Sequence, residues 1–287
     1  MRGETTLELR RILAANAFRL TSNYDFAIQK YFSPVEKDFP EEINLYLHNG
    51  RKLRYGENPH QQASYYGPLN EIFEQLAGKE LSYNNLLDCD AALNLISEFK
   101  EEDGVTIGII KHNNACGSAT CTSSVEAWKD ALAGDPVSAF GGIIVCNAAI
   151  DATLAAEMKT LFFEILIAKD FTADALALLS EKKNRILLKL KPSVSNAASI
   201  RSVLNGYLVQ TKDQEEMTAD NWEYATTRKP VSQEISDMLF ANKIVRNLKS
   251  NAIVLVKNKQ LLGIGAGETS RVDALQHAIA KAKHFGF

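Results

Sequence analysis

Val105-Thr-Ile-Gly-Ile-Ile110, followed at once by Lys111-His112-Asn113-Asn114, is the stretch whose reading decides the fold. A short β-branched apolar run reads as a buried strand. Ala115-Cys116-Gly117-Ser118, just after it, reads as a tight turn. A cation, an imidazole and two amides therefore emerge together where a buried strand ends. In open α/β sheets that edge is where ligands bind. Lysine supplies a fixed positive charge beside a histidine that titrates near neutral pH, which suits proton transfer coupled to oxyanion stabilisation. A solvated strand end would look the same, so the tetrapeptide alone leaves both readings open.

Outward from this strand the chain alternates. On its C-terminal side, Ser123-x-x-Glu126 is a capping box for a helix ending at Gly134, and Gly141–Cys146 is the next strand. Asp151 caps a helix from Thr153 to Phe162, and Ile165–Ala168 is a strand. Thr172 caps a helix over Ala173–Lys182, and Ile186–Leu190 follows as strand. On the N-terminal side a short helix spans 89–100. Ile43–His48 alternates like a strand, Asn49-Gly50 signals a turn, and Lys52 begins a second strand. Residues 4–32 read as helix. Strands alternating with helices imply parallel pairing through crossover helices. Lys191–Ser199 is the best domain boundary. Beyond it, Arg201–Gln210 reads as strand and Ser232–Leu248 as helix. Ser250–Lys257 and Gln260–Ile264 form a hairpin across Asn258, and Ser270 opens a last helix to Lys283. No sequence repeat stands out.

Of the 287 residues, 46% are hydrophobic and 23% charged, the profile of an ordinary globular protein. A net charge of −3 argues against general nucleic-acid binding. No apolar run approaches a membrane span, and residues 1–20 show no secretory pattern. Four cysteines in such a chain point to a reducing cytoplasm.

Four clusters carry chemistry. Arg54-Tyr55-Gly56-Glu57-Asn58-Pro59-His60-Gln61 crowds a guanidinium, a phenol and an imidazole into one bend, suited to an anion and a flat heterocycle. Lys111 and His112 would face opposite sides of a regular strand, so they share a pocket only if the chain turns there. Asp135–Gly142 ends in two glycines that let a ligand approach the backbone. Ser250-Asn251 joins Gly263-Ile-Gly-Ala-Gly-Glu-Thr-Ser-Arg271, a glycine-rich turn into a helix N-terminus able to bind anions. It is not a dinucleotide fingerprint, because Glu268 takes the third glycine position, nor a P-loop. His112, Cys116 and Cys121 match no common zinc spacing, the zinc-deaminase signature is absent, and no metal site is expected.

Taken in order, Leu53–Gln61, Leu81-Ser-Tyr-Asn-Asn-Leu-Leu-Asp88, Lys111–Asn114, Asp135–Gly142, Ser250–Ile253 and Gly263–Arg271 resemble the transformylase half of the bifunctional AICAR transformylase/IMP cyclohydrolase family of purine biosynthesis. The resemblance implies an α/β fold of tandem cytidine-deaminase-like lobes without zinc. Its parts would be a helical remnant with linker at 1–43, a first lobe at 44–200 and a second, truncated lobe at 201–287. It implies formyl transfer from 10-formyltetrahydrofolate to the 5-amino group of AICAR in a cytoplasmic homodimer, with potassium as an optional cation. His112 would move the proton and Lys111 would stabilise the transition state. Arg54, Tyr55, Gly141, Glu164, Asn251 and Arg271 would contact AICAR, and Val272 the folate. The cyclohydrolase domain would be absent. Ala115 stands where the family often has proline, Glu268 where glutamine is usual, and Asn205-Gly-Tyr where two glycines are common. The rivals are a non-catalytic fragment that keeps dimerisation or nucleotide binding, and a generic nucleotide-binding module.

Overall fold

The computed structural model describes residues 4–32, 43, 47, 50–192, 198–213, 215–220 and 222–287. The chain divides into two compact units, residues 1–46 and 47–287. In the first, α1 (Leu7–Phe32) forms where the apolar periodicity placed it, with none of its side chains buried. The strand expected over Ile43–His48, most of the Lys191–Ser199 boundary and the Asn49 turn lie largely outside the described residues.

The second unit is built on an eight-stranded mixed sheet ordered β11-β12-β5-β4-β6-β7-β8-β3. Its strands are β3 (Phe73–Ala77), β4 (Val105–Lys111), β5 (Asn114–Cys121), β6 (Ile143–Ile150), β7 (Ile165–Phe171), β8 (Ile186–Leu190), β11 (Ile253–Lys257) and β12 (Gln260–Gly265). Two small hairpins stand apart from it: β1 (Gly50–Lys52) with β2 (Ser64–Tyr66), and β9 (Ala198–Val203) with β10 (Gly206–Thr211). The helices are α2 (Leu69–Ile72), α3 (Tyr83–Ile96), α4 (Ser124–Ala133), α5 (Ala152–Met158), α6 (Ala173–Ser180), α7 (Ser232–Val245) and α8 (Arg271–His284). Ser123, Asp151, Thr172 and Ser270 each cap a helix by accepting the backbone N–H three residues on, as their positions predicted.

Parallel pairing holds for β6, β7 and β8, where α5 and α6 make the crossovers. It fails elsewhere. β4 pairs antiparallel with both β5 and β6, and β3 antiparallel with β8. The expected tight turn at Ala115–Ser118 is instead the middle of β5. Gly117 is there because α4 crosses directly above it: a Cβ at that position would overlap the Ala131 carbonyl. Lys52 ends β1 rather than opening a strand, and Arg201–Gln210 is a hairpin turning at Leu204-Asn205. The helix expected over 89–100 starts earlier, at Tyr83, because Ser82 and Asn85 cap it reciprocally.

Both faces of the sheet are covered, so β4 and β5 are buried almost end to end. On one face Ile107, Ile109, Ile144 and Leu166 pack with Trp128, Met158 and Leu179 from α4, α5 and α6. On the other, Ile110, Val145 and Ile167 pack with Leu95 and Ile96 of α3 and with Phe240 and Ile244 of α7.

A structural repeat appears that the sequence did not display. A fourteen-residue helix, a strand, a two-residue left-handed turn, a strand and a serine-capped helix occur as α3-β4-β5-α4 and again as α7-β11-β12-α8. The two hairpins meet where Gln260 pairs with Ala119 and Thr120 N donates to Lys259 O at 3.0 Å.

Candidate active site

The β4–β5 hairpin turns at His112 and Asn113, whose φ values of 50° and 64° lie in the left-handed region, as a type I′ turn requires. The chain thus turns directly after Lys111, at His112-Asn113 and not at Ala115–Ser118. Lys111 is half-buried and its Nζ donates to Phe140 O at 2.6 Å. His112 is exposed at the turn, its carbonyl accepting from Asn114 Nδ2 at 2.9 Å. Asn113 N donates to Asp88 Oδ1, on α3, at 2.6 Å.

Gly141 lies beside the lysine. Its φ of +69° favours glycine, and a Cβ there would sit 3.2 Å from Lys111 Nζ. Gly141 N donates to Phe162 O at 2.8 Å, and Glu164 N donates to Gly142 O at 3.0 Å. The Glu164 carboxylate accepts from Asn85 Nδ2 at 3.0 Å and lies 3.9 Å from Lys79 Nζ. The neighbouring Asn84 donates to Glu57 O at 3.2 Å, which ties the Arg54–Gln61 bend to the start of α3. Within that bend Arg54 lies 5.2 Å from the Tyr55 ring centroid, and Gly56 N donates to Gln61 O at 2.8 Å. Asn58 and Gln61 bond to each other, so they shape the bend. A continuous set of contacts thus runs from the Arg54–Gln61 bend through Asn84, Asn85, Glu164 and Gly141 to Lys111 and His112. Phe140 and Phe162 pack at a tilt of 48° with ring centroids 5.1 Å apart beside it, both with exposed surface suited to a flat ring.

Asn251, Arg271 and Val272 form a second cluster, at the end of the β11–β12 hairpin away from its turn. Asn251 Nδ2 donates to Glu268 O at 3.1 Å and to Thr269 O at 3.3 Å, clipping the two segments together. Arg271 and Val272 are exposed on the first turn of α8. Gly263 and Gly265 serve packing: a Cβ on either would collide with α8, 3.2 Å from the Ala278 carbonyl carbon and 2.8 Å from that of Ala274. Glu268 does not stand as a free carboxylate, since His277 Nδ1 lies 2.7 Å from it. Among the described residues, no hydrogen bond or ion pair joins Asn251, Arg271 or Val272 to Lys111 or His112. The Lys281 ammonium, further along α8, is paired with buried Asp135 in the loop that carries Phe140 and Gly141. Burial alone would raise the Asp135 pKa, but its bonds from Lys281 and Ser138 outweigh that and hold it below the usual carboxylate value.

Ala115 is buried in β5 opposite Ile110, outside the turn. Burial pushes the Cys116 thiol up to about 12, the behaviour of a core residue. Among the described residues there is no group of three or more His, Cys, Asp or Glu side chains able to hold a metal. No described helix is long and apolar enough to cross a membrane.

A family model described as AICARFT/IMPCHase bienzyme matches residues 1–281. The chain belongs to that family. It is 51% identical to the "Bifunctional purine biosynthesis protein PurH" of Bacteroides thetaiotaomicron, over 99% of this chain and 55% of that protein. Proteins of the same name from Rhodospirillum rubrum and Caldicellulosiruptor saccharolyticus are 46% and 45% identical, each over 98% of this chain and 54% and 56% of their own lengths. The chain spans about half the length of these curated relatives.

Within this AICARFT/IMPCHase chain, residue-by-residue reading assigned no role to Asp88, Asn84 or Asn85, nor to the Phe140–Phe162 pair. Asn84 and Asn85 precede Asp88 by four and three residues, the spacing that puts each of them near Asp88 on a helix capped at Ser82.

Proposed function

We propose that this chain carries the AICAR-formylating half of the bifunctional enzyme. The observation that supports the reading best is the fixed turn that puts an exposed imidazole next to a half-buried ammonium, with Gly141 and Glu164 alongside. In the proposed reaction the 5-amino nitrogen of AICAR attacks the formyl carbon of 10-formyltetrahydrofolate. The carbonyl oxygen gains negative charge, which the Lys111 ammonium stabilises. His112 takes the proton from the attacking amine and delivers one to N10 of the folate as the C–N10 bond breaks. The products are FAICAR and tetrahydrofolate.

Arg54 suits the phosphate of the nucleotide, through the planar fork of its guanidinium. Tyr55, Gly141 and Glu164 would line the base and ribose. Asn251, Arg271 and Val272 would complete the site from the second hairpin, with Val272 toward the folate. A homodimer is the assembly expected with this reading. The repeated helix-hairpin-helix unit supports the tandem-lobe reading, with lobes at 44–200 and 201–287 and the helical segment 1–43 ahead of them. Four free cysteines fit a cytoplasmic setting.

The test is formyl transfer to AICAR, followed as tetrahydrofolate release, by the chain alone and by a full-length relative's chain into which residues 1–287 are exchanged. His112→Ala should lower kcat by about 10²–10⁴-fold. Unchanged turnover in that variant would remove His112 from the mechanism. A second reading, a fragment that dimerises or binds nucleotide without turnover, is favoured by the half-length match. It predicts AICAR binding by titration calorimetry with no formyl transfer in any context.

A further inference from the structure

His112 and Asn113 both adopt left-handed backbone, which residues other than glycine take at a cost. Asp88 supports this turn from outside the hairpin. Its Oδ1 accepts Asn113 N at 2.6 Å, and the Asn113 side-chain amide, oriented to satisfy both of its ends, donates to Asp88 Oδ1 at 2.8 Å and Leu87 O at 3.2 Å.

The second hairpin shows that this is a device of the fold. Its turn residues, Asn258 and Lys259, have φ of 55° and 54°. Their amides donate to Asp237 Oδ2 at 2.9 Å and Asp237 Oδ1 at 2.8 Å. Asp88 is the sixth residue of α3 and Asp237 the sixth of α7, so the same helix position clamps the same kind of turn in both copies of the helix-hairpin-helix repeat. Only the first turn carries Lys-His.

We infer that Asp88 is a positioning residue: its carboxylate clamps the turn that presents His112 after Lys111. Burial raises the Asp88 pKa, while the Asn113 amide and the charges of His112 and Lys111 pull it back. Those two side chains, from the end of β4, are the charged groups acting on it. The adjacent titratable group on its own helix, Cys89, has its thiol raised by burial. The groups it positions therefore offset part of the burial penalty on the carboxylate, whose pKa stays above the usual value. The structural role stands on the turn alone; its catalytic meaning rests on the formyl-transfer reading.

The experiment is amide hydrogen exchange at Asn113 with formyl-transfer kinetics, in the wild-type chain, Asp88→Asn, Asp88→Ala and Asp237→Asn. Asp88→Ala should strip exchange protection from the Asn113 amide, and Asp88→Asn, which keeps an acceptor oxygen, should retain part of it. Asp237→Asn should leave that amide unchanged. An Asn113 amide as protected in Asp88→Ala as in the wild type overturns the inference. Where a variant fails to fold, the wild-type chain decides instead: its Asn113 amide should exchange at least about tenfold more slowly than a free turn amide, and an unprotected amide overturns the inference equally. In the formyl-transfer assay, Asp88→Ala should cut kcat at least about tenfold with little change in KM for AICAR, and Asp88→Asn should recover part of that loss. A wild-type chain that shows the protected amide but no formyl transfer refutes the functional reading and leaves the clamp standing.

Discussion

Gly117→Ala tests the most consequential feature of the sheet, the strand where a turn was expected. In a tight turn a methyl group at this position would point to solvent and cost little. In β5 it points at α4, where it would overlap the Ala131 carbonyl oxygen and sit 3.0 Å from the carbonyl carbon. Ordinary contact between carbon atoms needs roughly 3.5–4.0 Å and the oxygen lies nearer still, so the helix must retreat by about 1 Å or more. Retreat lifts Trp128, 2% exposed, and Ala127 and Ala131, fully buried, from the sheet. Helix backbone cannot swing aside like a side chain, so the cost falls at the upper end of overpacking, about 3 kcal/mol. For a unit of this size that is a fall in Tm of roughly 6–12 °C. Differential scanning calorimetry measures it, with Gly206→Ala as the matched control. There the new Cβ would meet Val203 O at an ordinary 3.7 Å, so a change within about 0.5 kcal/mol is expected. If the two variants melt together, α4 does not cross β5 as described and the turn reading returns.

Gly141→Ala combines a left-handed φ with a Cβ beside the lysine ammonium. It should cost about 1–2 kcal/mol of stability, and formyl transfer should fall further than that loss explains; activity that tracks stability alone would argue against Lys111 at the reacting centre. Lys281→Met leaves buried Asp135 with only its Ser138 partners, a loss of roughly 1–3 kcal/mol by urea denaturation at neutral pH. Because the folded-state pKa of Asp135 is depressed, the pair's contribution is present above the ordinary Asp value and fades as pH falls through the folded one. The gap between wild type and variant should therefore shrink below about pH 4; a gap that widens in acid would contradict the pairing. Alkylation followed by mass spectrometry should label half-buried Cys121 before the buried Cys89, Cys116 and Cys146. Labelling should be slow even there, since burial and the nearby Asp130 raise its pKa to about 11.

The elements that local chemistry controls were legible in the chain. Ser123, Asp151, Thr172 and Ser270 cap helices because a side-chain oxygen three residues ahead of a free N–H needs nothing from the rest of the fold. Val105–Ile110 is a buried strand for the same reason, its β-branched side chains suiting a pleated surface covered on both faces. Those elements placed Lys111 and His112 at a strand end and made that end a candidate site. Gly117 misled because glycine has two uses, conformational freedom and lack of bulk, and only the position of α4 selects between them. The His112–Asn113 turn lacks the usual Asn-Gly signature because its left-handed backbone is held from outside, by a carboxylate 25 residues away in sequence.

What the sequence by itself determined is therefore most of the helices, the buried central strands and the choice of candidate site residues, all read from patterns within a few residues. What only the tertiary structure decided is the antiparallel return of β5, the repeated helix-hairpin-helix unit and the clamp of Asp88 on the turn. Each of these depends on groups distant in sequence meeting at hydrogen-bond or van der Waals distance, and no local pattern encodes that meeting.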